Sequence, residues 1–341
     1  MDDMVSQAAG SQSAGLSAHQ CTTLYLVLPC YNEEEVLMDT AAALEIKYNK
    51  LMEEKKISRE SKIMFVNDGS KDRTWDIITE LFHRNAVFCG INLSRNRGHQ
   101  NAVLAGLMTA REKADVVISI DADLQQDIEA IDLMLEKYEN GCDVVYGVRN
   151  TRSTDGFVKK NTALGFYKLM QMMGCEVITN HADYRLMSKR VIESLAEYGE
   201  VNLFLRGLIP TIGYPSDAVY FDVKERQAGE SKYTMKKMLS FAVDGITSFS
   251  IRPLQLITIL GFLMLIVSIV MVAATIYDYY TGRTVPGWAS SYCSTWFIGS
   301  IQLLSLGVMG EYIGKIYMET KHRPRYHIEA YLWKDGQEKE E

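Results

Sequence analysis

A chain of 341 residues is long enough for one full α/β domain with a smaller appended element, and its length alone permits two domains. A hydrophobic fraction of 47% beside 23% charged residues is ordinary for a globular protein, but the mean hydropathy of -0.08 averages over unlike parts of the chain. The formal charge of -7 and the pI near 5.5 exclude nucleic acid as the main partner, since binding to a phosphate backbone needs a basic face.

The opening stretch, MDDMVSQAAGSQSAGLSAHQ, is polar, carries acidic residues where a secretory leader is basic, and lacks an apolar core, so residues 1–21 are predicted to be a flexible tail. From Leu24 to Val148, short apolar runs alternate with longer amphipathic ones. Tyr25 to Leu28, Ile63 to Val66, Val87 to Leu93, Val116 to Ile120 and Val144 to Val148 read as strands with helices between them. Crossovers of that length imply a largely parallel sheet covered on both faces, with ligands beyond the carboxyl ends of the strands. Lys159 to Met173 and Lys189 to Ala196 are helical in pattern, and Ala218 to Val223 returns as a strand. Ser231 to Ser248 places apolar residues at helical spacing beside Lys236 and Lys237, which fits an amphipathic helix in a membrane interface or one facing a core. Leu254 to Tyr277 holds no charge, is mostly Leu, Ile, Val and Met, and reads as a bilayer span. A second apolar stretch from Trp288 to Met309 is close to the ~20 residues that cross ~30 Å of hydrocarbon. Cys21, Cys30, Cys89, Cys142, Cys175 and Cys293 show no metal-ligand spacing and read as reduced thiols.

Chemically rich residues fall where the strands end. In ISIDADLQQD a strand stops at Asp121 and Asp123 with one small residue between them. Two carboxylates so spaced can share a hard divalent cation such as Mg2+ or Mn2+, which bind through one or two carboxylates plus substrate phosphates, and Gln125 can add an amide oxygen. A solvated acidic turn is the alternative. FVNDGSKDRT offers Asp68 as an acceptor for a nucleoside, with a Gly-Ser turn that permits close backbone approach to a ligand, although Asn-Asp-Gly-Ser is also an everyday turn. In LPCYNEEE, Pro29, Tyr31 and Glu33 can line a base and ribose pocket, while Glu34 and Glu35 can simply begin a helix.

Together LPCYNEEE, FVNDGSKDRT, LSRNRGHQNAVLAG and ISIDADLQQD, in this order, resemble the family-2 glycosyltransferases with a GT-A fold. The resemblance continues through YGVRNTRSTDG, HADYRLMSKRV, RQAGESKYT and MGEYIGKIYMETKHRPRY, and within the family points to the bacterial undecaprenyl-phosphate glycosyltransferases, relatives of dolichyl-phosphate mannose synthase. It implies a Rossmann-like GT-A domain over 22–230, a membrane-proximal amphipathic helix over 231–252, two transmembrane helices over 253–314 and a cytoplasmic tail over 315–341. It further implies that Pro29, Tyr31, Glu33 and Asp68, joined by Arg95, bind the nucleoside of a nucleotide sugar, UDP-linked in the nearest relatives. Asp121, Asp123 and Gln125 would hold Mg2+ or Mn2+ on the diphosphate, and Arg149, Arg226, Ser231 and Lys232 would bind a polyprenyl phosphate. Lys159 and Lys160 stand where relatives carry basic residues. Asp183 falls where the superfamily keeps a catalytic carboxylate. A phosphate acceptor is already anionic near neutral pH, so Asp183 is expected to orient the acceptor or its basic ligands, the alternative being a structural pair with Arg185.

These expectations describe inverting sugar transfer to a lipid phosphate for the cell envelope. A processive polysaccharide synthase lacks its Gln-x-x-Arg-Trp signature here, and a non-catalytic nucleotide-binding scaffold would not need both Asp121 and Asp123. Lys236, Lys237 and Arg252 precede the first span and Lys315, Lys321, Arg323 and Arg325 follow the second, whereas the connecting loop offers Arg283 alone. That bias predicts a plasma-membrane hairpin with the catalytic domain in the cytoplasm. Glu311 is expected at the lipid interface or in a subunit contact. Gly299, Ser300, Ser305, Gly307, Gly310 and Gly314 give small surfaces for helix contact, which predicts a homo-oligomer, a tetramer being one form, embedded in membrane lipid.

Overall fold

The computed structural model describes residues 21–150, 181–201, 203–222, 252–281 and 288–333. The expected helices over 159–173 and 231–248, the N-terminal tail, the loop at Arg283, and Arg226, Ser231 and Lys232 lie outside those residues.

Strand β1 (Leu24–Cys30) is buried along its whole length, as an apolar run covered on both faces must be. It pairs in parallel with β2 (Lys62–Asn67) on one side and β4 (Val116–Ser119) on the other, and β2 pairs in parallel with β3 (Phe88–Leu93). Helices α1 (Leu37–Glu53), α2 (Thr74–Arg84) and α3 (His99–Ala110) make the crossovers, and α4 (Ala130–Glu139) leads to β5 (Val144–Arg149). Every strand expected from the sequence is present within two or three residues of its predicted bounds, including β7 (Ser216–Phe221). Side-chain alternation along β1 divides the core. Leu24, Leu26 and Leu28 face α1, α2 and α4, whereas Tyr25 and Val27 face α3 and two later helices, α5 (Lys189–Glu197) and α6 (Leu205–Thr211).

Two strands were not expected. HADYRLMS forms β6 (His181–Ser188), antiparallel to both β4 and β5, and Ile328–Leu332 forms β8, antiparallel to β3. The sheet order is β7-β5-β6-β4-β1-β2-β3-β8, so parallel pairs outnumber antiparallel ones only narrowly. The segment assigned above to a C-terminal tail is thus in part an edge strand of the main sheet, because backbone groups on the open edge of β3 find partners there. Trp333 then stacks on Tyr25 at 5.7 Å, with the Lys113 ammonium 4.5 Å above its ring.

Between β7 and β8 run α7 (Arg252–Tyr280) and α8 (Trp288–Thr320), which touch each other. At 1.5 Å per residue they extend about 43 and 50 Å. Among the described residues, one segment has the length and composition to cross a bilayer, Phe297–Thr320, while the apolar stretch described in α7 is the shorter Pro253–Leu263. The span found thus falls on the second, more polar of the two expected stretches, shifted toward the C-terminus relative to Trp288 to Met309, whereas the more apolar first stretch, Leu254 to Tyr277, gives only the shorter segment. The lower part of α8 reaches the α/β domain: Val201 N–H donates to Glu319 Oε2 at 2.8 Å, and Glu311 lines a groove with Val201.

Candidate active site

The loops that follow β1, β2, β3 and β4 meet at one edge of the sheet, where parallel α/β folds bind ligands. Loop β1–α1 carries Tyr31 and Glu33 just after Pro29, the latter buried at the end of the strand. It is clasped to loop β2–α2 by reciprocal bonds: Asn32 N–H donates to Ser70 Oγ at 3.0 Å and Lys71 N–H to Asn32 Oδ1 at 2.9 Å. Glu33 N–H donates to Thr74 Oγ1 at 2.9 Å. Asn32 holds a left-handed φ of 54°, which asparagine tolerates better than most residues.

Asp68 is almost fully buried, and its two carboxylate oxygens accept the backbone N–H groups of Arg97 (2.7 Å) and Gly98 (2.9 Å). Burial raises its pKa, and those two hydrogen bonds oppose the rise. The adjacent Gly69, at φ +62°, lies against the Arg95–Asn96 peptide so closely that an added Cβ would sit 2.5 Å from Arg95 C and Asn96 N. The turn thus makes a close approach to the chain's own backbone, and Asp68 and Gly69 together fix the loop that presents Arg95.

The β4 end supplies the carboxylates. Asp121 and Asp123 are both partly exposed, with the buried Ala122 between them. Asp121 is gripped by the buried amide of Gln126: Asp121 N–H donates to Oε1 at 2.9 Å, and Nε2 donates to the Asp121 carboxylate at 2.5 Å. Gln125, named above as a cation ligand, sits half-buried, and its backbone N–H donates to Asp123 Oδ1 at 3.2 Å. Leu124 between them adopts φ 53°, a strained conformation for a branched side chain. Burial raises the pKa of Asp121, and nearby Asp183 and Asp123 add to this while His99 opposes it. A cation would relieve that accumulation of negative charge. Two carboxylates with an amide beside them are donors that suit a hard cation taking its other oxygens from a phosphorylated substrate.

Antiparallel pairing aligns Ser119 with Arg185, which brings Asp183 beside the end of β4. Ser119 Oγ donates to the Asp183 carbonyl at 2.7 Å. The Asp183 carboxylate gathers two guanidinium groups and an imidazole: Arg185 at 2.5 Å, Arg206 through two bonds, and His99 Nε2 at 3.4 Å. His99 also lies 3.8 Å from Asp121, so it spans the two carboxylates. Burial alone would push the Asp183 carboxyl up, but Arg206, His99 and Arg185 hold it well below the usual carboxylate range. It is a poor base. The expected pair with Arg185 exists, but as one arm of a larger cluster. The sequence reading missed His99, Arg206 and Gln126. His99 lay in a quoted motif, LSRNRGHQNAVLAG, and is aimed here by α3, which packs so tightly on β1 that a Cβ on Gly106 would lie 2.4 Å from Val27 Cγ1.

Arg149 ends β5, on the same edge of the sheet but with β6 intervening, about 10 Å across from the end of β4. Its Nε is buried and has no hydrogen-bond partner among the described residues. Cys21, Cys30, Cys89 and Cys142 are free thiols; burial pushes the Cys89 thiol up to about 12.

Residues 25–196 match the family model for glycosyl transferase family 2. The chain is 51% identical over 312 residues to the uncharacterized glycosyltransferase YkoT of Bacillus subtilis, covering 92% of this chain and 93% of that one. It is 41% identical over 308 residues to the bactoprenol glucosyl transferase of Shigella phage SfX, covering 89% and 98%. A solved glucosyl-3-phosphoglycerate synthase from Mycobacterium tuberculosis superposes with a TM-score of 0.45 at 15% identity, over 67% of this chain and 80% of that one, a likeness too distant to speak to substrate.

Proposed function

This chain belongs to glycosyltransferase family 2, and on that premise we propose that it moves a sugar from a nucleotide sugar, UDP-linked, onto polyprenyl phosphate with inversion at the anomeric carbon. The observation that carries the reading is the meeting of Asp121 and Asp123 with the Asp183 cluster at the middle of the sheet edge. Loops β1–α1 and β2–α2 stand on one side of that point and Arg149 on the other. A relative named for bactoprenol glucosyl transfer, alike over nearly its whole length, supports the lipid-phosphate acceptor.

In this reading Pro29, Tyr31, Glu33, Asp68 and Arg95 receive the nucleoside. Asp121 and Asp123, with Gln125, would hold Mg2+ or Mn2+, which when bound supplies charge neutralisation at the leaving diphosphate. Arg149, together with Arg226, Ser231 and Lys232, holds the acceptor phosphate, and the position of Arg149 at the end of β5 on the same edge of the sheet supports this. The acceptor oxygen attacks the anomeric carbon as the bond to the diphosphate breaks. Because a phosphate monoester has its second pKa near 6, that oxygen needs no general base. This agrees with the strongly depressed pKa of Asp183, whose task is to hold Arg185, Arg206 and His99 in position. Helices α7 and α8 form a membrane hairpin that keeps the site at the cytoplasmic surface, and their small residues bring copies of the chain together as a homo-oligomer.

Incubation of purified protein with a panel of labelled nucleotide sugars and polyprenyl phosphate, followed by thin-layer separation of the lipid phase, tests the reading and identifies the sugar. Label that stays in the aqueous phase for every donor would reject it.

A further inference from the structure

Helix α1 emerges from the loop that carries Tyr31 and Glu33, with Val36 and Leu37 N–H groups donating to the Glu33 carbonyl at 3.1 and 3.0 Å. One face of the same helix grips the DADLQQD loop and the helix after it. Thr40 is 1% exposed, and its hydroxyl proton lies between two carbonyl acceptors, that of Ala122, the residue between Asp121 and Asp123, at 2.7 Å and that of Val36 in its own helix at 2.9 Å, the loop carbonyl being the nearer. Two turns further on, Lys47 is equally buried and its ammonium reaches Glu129 at 2.6 Å as well as Asp132, at the start of α4. Burial disfavours the charge on Lys47, yet Asp132 and Glu129 outweigh it and its pKa is raised. On the other side of the loop, Tyr184 OH donates to the Asp127 carbonyl at 3.1 Å. Nothing in the cation-binding or nucleoside-binding assignments uses Thr40 or Lys47.

We propose that α1 is a strut that sets the geometry of the cation-holding loop, with Thr40 as its positioning residue, and so ties the nucleoside pocket to the cation. This rests on the reading of Asp121 and Asp123 given above. The loop contains a strained Leu124, so its shape depends on external restraint, and Thr40 supplies that restraint at the residue between the two carboxylates. Groups hydrogen-bonded to metal ligands typically change metal affinity by about 10- to 100-fold when lost, and Thr40, which bonds the residue between two ligands, is expected at the lower end of that range.

The test follows Mn2+ uptake by electron paramagnetic resonance at saturating UDP, on the full chain in detergent, for wild type, Thr40→Val, Thr40→Ser, Asp132→Asn and Thr79→Val. Thr40→Val keeps the shape but removes the donor. It is expected to weaken Mn2+ binding about tenfold while the affinity for UDP without metal stays that of wild type. Thr40→Ser restores the hydroxyl and the affinity, and Asp132→Asn loosens the far end of the strut for a smaller loss. Thr79→Val, whose hydroxyl bonds only within α2, should match wild type. Equal Mn2+ uptake by wild type and Thr40→Val overturns the strut alone, whereas no uptake by the wild type overturns the cation reading together with it. Should Thr40→Val fail to fold, unchanged Mn2+ affinity in Asp132→Asn overturns the strut.

Discussion

Asp183 and Arg206 meet as a two-pronged pair, Nε and Nη2 of the arginine donating to the two carboxylate oxygens at 3.0 and 2.9 Å. Bidentate charge-assisted bonds are the stronger kind, and both side chains are mostly shielded from water. Replacement by Arg206→Met is expected to cost about 2–3 kcal/mol of stability, because Asp183 keeps its charge and loses its best-placed partner. The sign with pH is fixed. A carboxylate whose folded pKa lies below its ordinary 3.8 contributes stability above that value and loses it as pH falls through the folded pKa. The gap between wild type and Arg206→Met, measured by thermal unfolding in chelator, should be largest near neutrality, narrow as His99, whose charge Arg206 opposes, takes its proton more readily in the variant, and shrink further below the ordinary carboxylate value. A gap that widens on acidification would contradict the assigned direction.

Asp121→Asn and Asp123→Asn each remove a charged oxygen from the cation site, and each is expected to lower transfer by at least about a hundredfold with the fold intact. Circular dichroism and a transfer assay titrated with Mn2+ check both halves. Near-normal activity in both variants, or activity that survives thorough chelation, would remove the cation from the proposed function.

Gly69→Ala is expected to destabilise the protein by about 1–2 kcal/mol from the left-handed backbone alone, with more from the collision with Arg95 and Asn96. Because that turn fixes the loop presenting Arg95, UDP affinity should fall with it. Urea unfolding and calorimetric UDP titration measure the two effects, and an unchanged unfolding midpoint would mean that the two loops are not packed as described.

Arg149→Ala, Arg226→Ala and Lys232→Ala test the acceptor site. A charge-assisted bond contributes about 1.5–3 kcal/mol, so each should weaken acceptor use roughly ten- to a hundredfold while donor dependence barely moves. Titrating a short-chain, soluble polyprenyl phosphate at saturating donor separates this from simple adhesion to anionic lipid, which is worth about 1 kcal/mol per basic residue and vanishes in neutral detergent. An unaltered acceptor curve in all three variants would refute the acceptor assignment.

For the membrane arrangement, a cysteine-free protein with one new Cys near Gly282 should react with an impermeant reagent from outside the cell, and one near Lys334 only after permeabilisation. The reverse pattern would put the catalytic domain on the wrong side for a cytoplasmic donor.

The amino-acid sequence by itself determined the elements whose signals are local. Continuous apolar runs mark strands buried on both faces, which is why β1 to β5 fall where they were expected, while the edge strand β7 shows itself by alternation, with Val219 and Phe221 turned inward. A carboxylate pair at a strand end announces itself by spacing, and a long apolar helix by composition. Tertiary structure alone decided what depends on partners remote in the chain. HADYRLMS is too polar to announce a central strand, and becomes one because β4 and β5 offer it backbone partners on both sides and Asp183 meets the charge of the buried Arg185. Ile328–Leu332 is a strand only because β3 would otherwise present an open edge. Between Gln125 and Gln126, spacing could not tell which side chain turns inward to grip Asp121. The grouping of His99, Arg206 and Thr40 around the carboxylate loop is likewise invisible in one dimension: hydrogen bonds and ion pairs act over a few ångströms, and only the packing of α1, α3 and α6 on the sheet brings those side chains within that range.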